Sequence, residues 1–243
     1  MRSIRRKIAG GALIFGCICA GMSAVSVISG RSGKEAVPAA LIGEDEELPV
    51  IILDAGHGGI DGGCTTADGV PEKGINLGIL LRLRDMLEIS GYEVHVTRDS
   101  DKSIHDSGIE GIAAQKSSDM DNRLALFNEY PDAVCLSIHQ NQFTDPKYSG
   151  AQMFFSDTDS RSERFAQILQ GKFVEYLQPD NKREIKQCGK ELFLCYYSNN
   201  PTVMAECGFL SNPEEAELLK TEDYQGKVAF TLYSGLVDFI SEK

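Results

Sequence analysis

Basic residues are scarce in this 243-residue chain: 24 Lys and Arg face 36 Asp and Glu, for a net charge of −12. That balance excludes a nucleic-acid binder, which needs a basic face to displace counterions. No CxxC pair occurs among the seven cysteines, and five of them (64, 135, 188, 195 and 207) lie outside the amino-terminal segment at irregular spacing. Neither a zinc ribbon nor a disulfide framework fits an odd, irregular set, so these cysteines read as small buried hydrophobes. The Gly-rich stretch His57–Gly63 lacks GxGxxG and any GKS or GKT ending, which argues against nucleotide binding. There is no internal repeat and only one long apolar run. A collagen, a disordered chain and a multi-span membrane protein are thereby excluded.

What is present is an ordinary globular balance, 42% hydrophobic and 25% charged. Its length suits one domain or at most two, with a core that needs no staples. The single apolar run covers 23 residues, Ile8 to Gly30, directly after Arg2, Arg5, Arg6 and Lys7. A basic stretch followed by an apolar one signals export. As a helix it would reach roughly 34 Å, enough to cross a bilayer. We therefore read residues 1–30 as a signal or membrane anchor that places residue 31 onward outside the cytoplasm. Cleavage near Ser23 or Ala24 and retention as an anchor both stay open. Residues 31–48 are polar, acidic and aperiodic, hence a linker, and residues 49–243 are expected to form the folded domain. The exported part carries 20 basic against 36 acidic residues, a charge of −16. It cannot adhere electrostatically to anionic wall polymers, so attachment falls to specific recognition or to the anchor.

Periodicity predicts strands over Val50–Leu53, Tyr92–Thr97, Ala133–Ile138, Ala151–Phe155, Leu192–Tyr196 and Thr202–Ala205. Helices are predicted over Glu72–Ser90, Asp119–Tyr130, Ser160–Leu177, Pro213–Leu219 and Tyr224–Ile240. Strands alternating with helices predict a single α/β domain with a mostly parallel twisted sheet flanked by helices.

Four histidines occur, at 57, 95, 105 and 139, and two of them, His57 and His139, directly follow apolar strands. Sites in open α/β sheets form beyond the carboxyl ends of strands. Glu206 closes the strand Val203-Met204-Ala205, and Glu72 opens a helix after the Gly-rich loop. Two His and one Glu form the ligand set of several hydrolytic zinc sites, and a second Glu nearby would serve as general base. Each residue alone also has a plainer reading. A His after a strand can be a hydrogen-bonded structural residue, a Gly-rich loop can be a turn, and Glu72 can simply favour a helix amino terminus. His95 and His105 receive no role.

At these residues the sequence resembles the zinc-dependent N-acetylmuramoyl-L-alanine amidases with a type 3 catalytic domain. The matching blocks are IILDAGHGGIDGG (51–63), EKGINLGILLRLRDMLEISGYEVHVTRDSD (72–101), DNRLALFN (121–128), LSIHQN (136–141), GAQMFF (150–155) and MAECGFLSNPEEAELL (204–219). The short format is most similar to the spore-cortex, CwlD-type germination amidases. The resemblance implies that His57, Glu72 and His139 bind Zn2+ and that Glu206 is the catalytic glutamate. It implies cleavage of the bond between N-acetylmuramic acid and L-alanine in peptidoglycan, in cortex maturation towards the muramic δ-lactam. Asn76, Arg123 and Asn141 match recurrent family positions and are expected to contact substrate or support the ligands. Gln140 departs from the small or apolar residue common there and is expected to alter substrate contacts. Cys207, beside Glu206, is not read as a nucleophile, because no His partner is evident. Cys64 is a conceivable adventitious zinc ligand. The polar segment 101–119 is too short for a built-in inhibitory helix, so any control is expected from an activating partner protein. Competing readings are a vegetative amidase, a silent peptidoglycan binder and a zinc carboxypeptidase. The last lacks its HxxE pair, since Ile60 stands three residues after His57.

Overall fold

A run of fully apolar residues can be buried on both faces only inside a sheet covered by helices on both sides. Val50-Ile51-Ile52-Leu53 is such a run, and in the computed structural model it enters the strand β1 (Ile51–Ala55), all five residues of which are buried. The structure describes residues 48–242. The remaining elements are α1 (Glu72–Ile89), β2 (Val94–Val96), α2 (Ile112–Phe127), β3 (Val134–Asn141), β4 (Gln152–Phe155), α3 (Arg161–Tyr176), β5 (Lys186–Gln187), α4 (Phe193–Tyr197), β6 (Thr202–Phe209), α5 (Pro213–Leu219) and α6 (Glu222–Ser241). The strands form one six-stranded sheet in the order β2-β1-β3-β6-β4-β5. All pairings are parallel except β4 with β6, which is antiparallel.

Alternation along the strands distributes side chains between two layers. Ile51 and Leu53 join Leu80 and Leu83 of α1, Phe165 and Leu169 of α3, and Leu232 of α6 on one face. Ile52 and Cys135 pack with Phe127 of α2 and Leu194 of α4 on the other. Helix α1 buries Ile75, Ile79, Leu80, Leu83 and Leu87, the stripe expected of an amphipathic helix. Its end is marked by Gly91 at φ 90°, a left-handed conformation that glycine adopts without strain. Asn212 caps α5 by accepting from the amides of Glu214 and Glu215, with Pro213 in the first turn.

The predicted α/β architecture holds, with corrections at its margins. Leu192–Tyr196 is not a strand; Phe193–Tyr197 forms the helix α4. Helix α2 begins at Ile112, seven residues before the predicted start, and the two-residue β5 was not anticipated. Strands β3 and β6 run on past His139 and Glu206, so both residues lie within strands and not just beyond them. No helix among the described residues is long and apolar enough to cross a membrane. The predicted signal or anchor lies outside the described residues, as does the linker apart from Leu48.

Candidate active site

Four separate elements bring the chemistry-bearing residues to the carboxyl edge of the sheet. His57 follows β1, Glu72 is the first residue of α1, and His139 of β3 is the register partner of Glu206 on β6. Glu72 is buried between two imidazoles. Its Oε2 lies 3.2 Å from His57 Nε2 and its Oε1 3.1 Å from His139 Nδ1. Ligand atoms of these three residues all lie within 4.8 Å of one another, a grouping able to hold a metal ion. The backbone amides of Cys64 and Gln140 and the Asn76 side chain also donate to the Glu72 carboxylate. Burial opposes its ionisation, but the hydrogen bonds and charges of His139 and His57 prevail and hold it well below the usual carboxylate range. Burial likewise opposes protonation of His139, yet Glu72, with Glu206 and Asp54 behind it, raises the ring to about 9. Glu206 behaves in the opposite way. Burial, reinforced by the Glu72 charge, pushes its carboxyl up to about 7 against the pull of the histidines. Its Oε2 is buried and has no hydrogen-bond partner among the described residues.

The Gly-rich loop is a turn that makes room for the ligands. A Cβ on Gly56 would collide with the His139 ring, and one on Gly63 (φ +69°) would stand 2.5 Å from Glu72 Oε2. His57 itself adopts φ 64°, a left-handed conformation costly for a residue with a Cβ. Its ring is oriented by Asp61, whose Oδ2 lies 3.1 Å from His57 Nδ1 and whose Oδ1 accepts from Lys116 at 2.9 Å. Such a carboxylate behind an imidazole fixes its tautomer and ring plane.

Two buried guanidiniums secure the backbone that turns out of the sheet here. Arg123 donates to the carbonyls of Ala55 (2.9 Å) and His57 (2.7 Å), to Asp54 (2.5 Å) and to Asp119 (2.7 Å). Arg98 donates to the carbonyls of Ala55, Gly56, Lys73 and Ser100. The acceptors lie at the end of β1, in the loops beyond it and in the first turn of α1, and buried carbonyls require donors. Asp54 also accepts from Thr97 and Ser137 and is fully buried.

Of the three residues expected to contact substrate or support the ligands, Arg123 and Asn76 are placed for support. Arg123 is 1% and Asn76 0% exposed, and both are bonded within the protein: Asn76 ties Gly56 O to Glu72. Gln140 is placed similarly. It is buried, and its side chain donates to Asn76, so it supports the site from behind. Asn141 is part-exposed at the end of β3 and makes no side-chain hydrogen bond among the described residues. The Cys64 thiol donates to Gln140 O, and burial with the Glu72 charge drives its pKa upward, away from the thiolate a metal would need. Cys207 is buried, and burial and the Glu206 charge raise its thiol too. His95 stacks on Tyr130 and His105 bonds Ser103. Asp54, Asp61 and Arg98 were missed from the sequence. Only Asp61 carried a signal, a carboxylate four residues after a histidine at a strand end.

The model for the family described as N-acetylmuramoyl-L-alanine amidase (Amidase_3) matches residues 51–238. This chain belongs to that family. The amidase is 34% identical over 194 residues to the germination-specific N-acetylmuramoyl-L-alanine amidase of Bacillus subtilis, covering 80% of this chain and 81% of that one. It is 25% identical over 232 residues to the N-acetylmuramoyl-L-alanine amidase AmiA of Escherichia coli, covering 78% and 75%. Among solved structures, the CwlD amidase of Clostridioides difficile in complex with the GerS lipoprotein matches it with a TM-score of 0.77 at 36% identity, covering 80% of this chain and 100% of that one. The amidase thus shares both fold and family with proteins of this activity.

Proposed function

We propose that this protein is a zinc-dependent N-acetylmuramoyl-L-alanine amidase of the spore cortex, with His57, Glu72 and His139 as metal ligands and Glu206 as the general base. The observation that carries the reading is the pairing of a closed His-Glu-His cluster with a buried, unpartnered carboxylate oxygen on the adjacent strand. The donor set fits zinc: two imidazoles and an ionised carboxylate, with further donors fixing the carboxylate in place. A zinc ion held there supplies Lewis acidity to the scissile carbonyl and to the attacking water. Glu206, with a pKa near 7, takes the water proton at Oε2 and delivers it to the departing L-alanine nitrogen. That delivery matters because an amide anion is a very poor leaving group. Asp61 holds the His57 ring, while Arg123 and Arg98 hold the backbone that carries it.

The germination-specific relative supports the cortex assignment, and the lipoprotein complex supports control by a partner protein. Export through residues 1–30, as a cleaved signal or retained anchor, completes the proposal and suits a cell-wall substrate. Part-exposed Asn141 remains the proposed substrate contact. The test is release of free L-alanine amino termini from intact peptidoglycan by zinc-loaded protein, against a Glu206→Gln control. We expect release by the wild type alone, with the variant reduced by roughly 10²–10⁴-fold. Activity retained within about tenfold in the variant would remove Glu206 from this role.

A further inference from the structure

Among the described residues, the basic side chains fall into two sets. Outside the segment Lys182–Lys190, every Lys and Arg but one is in an ion pair. The exception, Arg98, is bonded to backbone carbonyls. The other four, Lys182, Arg183, Lys186 and Lys190, have no ion pair there and lie within nine residues of a chain whose net charge is −12. Lys182, Lys186 and Lys190 are exposed to water and interleaved with Asp180, Glu184 and Glu191, whereas Arg183 is part-buried and carries a donor shut off from solvent.

The segment lies at the active-site edge. Gln152, the register partner of Glu206, donates to Glu184 O at 2.8 Å, and Asn181 donates to Ala151 O at 2.9 Å. Because β4 runs antiparallel to β6, these first residues of β4 stand beside the carboxyl end of β6. The Arg183 guanidinium lies over the ring of Phe209, Cζ 4.6 Å from the centroid. Phe209 is three residues past Glu206 and pairs with Asn141. Arg183 makes no side-chain hydrogen bond among the described residues, and its Nε is buried without a partner. The carboxylate of Glu215, in the same region, is engaged by the amides of Gly150 and Phe209. A guanidinium set over an aromatic ring, with no side-chain hydrogen bond among the described residues, offers the planar donor fork that suits a carboxylate.

Given the amidase reading, on which this step rests, the substrate has one neutral side and one charged side. N-acetylated sugars carry no charge once the lactyl carboxyl is in the amide. The stem peptide, cut at its acylated end, keeps its own carboxyl terminus and any acidic side chains. We propose that Arg183 anchors a carboxylate of the stem peptide on the leaving-group side, within the field of Lys182 and Lys186. It is a specificity residue for the peptide and takes no part in proton transfer.

Binding without turnover tests this separately from the reaction. Full-length protein carrying Glu206→Gln is titrated with a muropeptide whose stem carboxylates are free, and with the same muropeptide converted to carboxamides. We expect the free acid to bind roughly 10–100-fold more tightly. Adding Arg183→Gln abolishes that preference while leaving carboxamide affinity unchanged, and Arg183→Lys restores part of it. Equal affinity of the Arg183-bearing protein for both ligands, binding of neither, or equal weakening of both by Arg183→Gln would overturn the proposal. Failure of the amidase reading appears elsewhere, as no L-alanine amino termini released by the wild type.

Discussion

Replacing Arg123 with Ala separates a structural clamp from a substrate contact. The side chain is 1% exposed and donates to two backbone carbonyls and two carboxylates. In the variant, Asp54 would retain only the hydroxyls of Thr97 (2.7 Å) and Ser137 (2.6 Å), while the carbonyls of Ala55 and His57 would lose their Arg123 donor. Removing one member of a buried ion pair costs about 3–5 kcal/mol, because the other charge stays buried. Against a domain stability of about 5–15 kcal/mol, that is a large fraction. At about 2–4 °C per kcal/mol for a domain of this size, the melting temperature should fall by about 10 °C. Arg123→Lys should recover little, since an ammonium cannot bridge acceptors spread along a planar fork. The loss should shrink in acid. Burial opposes ionisation of Asp54, but Arg123 and its other partners hold the carboxyl below its ordinary 3.8. The ion pair is therefore intact above pH 3.8 and lost as pH falls through the lower folded value, where variant and parent converge. Calorimetry across pH, with zinc content and KM alongside, reads all of this. An unchanged melting temperature with a raised KM would refute the clamp and return Arg123 to the substrate.

Three further outcomes are expected. Asp61→Asn removes the carboxylate behind His57 and should weaken zinc binding roughly 10–100-fold in a chelator competition, with the melting temperature of the metal-free protein little changed. Zinc uptake should release protons, because His139, raised to about 9, is cationic at neutral pH in the metal-free protein and must be neutral to ligate. Apparent affinity then rises with pH up to about 9, and titration calorimetry in buffers of different ionisation enthalpy reads the release; identical heats would contradict it. Gly56→Ala, which drives a methyl into the His139 ring, should abolish zinc retention while circular dichroism still reports the α/β fold.

How much of this was legible depended on whether a residue's role left a pattern along the chain. His57, His139 and Glu206 stand at or near the carboxyl ends of apolar runs, and the strand ends alone placed them on one edge. The ligand set itself came with the resemblance. Helix α4 was misread because Leu192-Phe193-Leu194-Cys195-Tyr196 is short and apolar throughout, which no periodicity resolves. The start of α2 was missed because its first turns, Ile112 to Ser117, are largely exposed and bury no apolar stripe. Arg123, Asn76 and Gln140 could be singled out in the sequence, but which groups they bond could not. Their partners are 69, 20 and 64 residues away in Asp54, Gly56 and Asn76. A polar residue bonded inward has the same one-letter code as one facing substrate.

The strand order has a consequence for the protein's history. The cluster needs the loop after β1, the start of α1 and the eight-residue strand β3, and Glu206 needs β6, the last strand along the chain. No two of these residues are close enough in sequence to chelate as a peptide. The complete three-residue set therefore exists only in the folded domain. A metal held by that set would favour the folded domain over the unfolded ensemble, and its binding would add to the domain's stability by the margin between the two affinities.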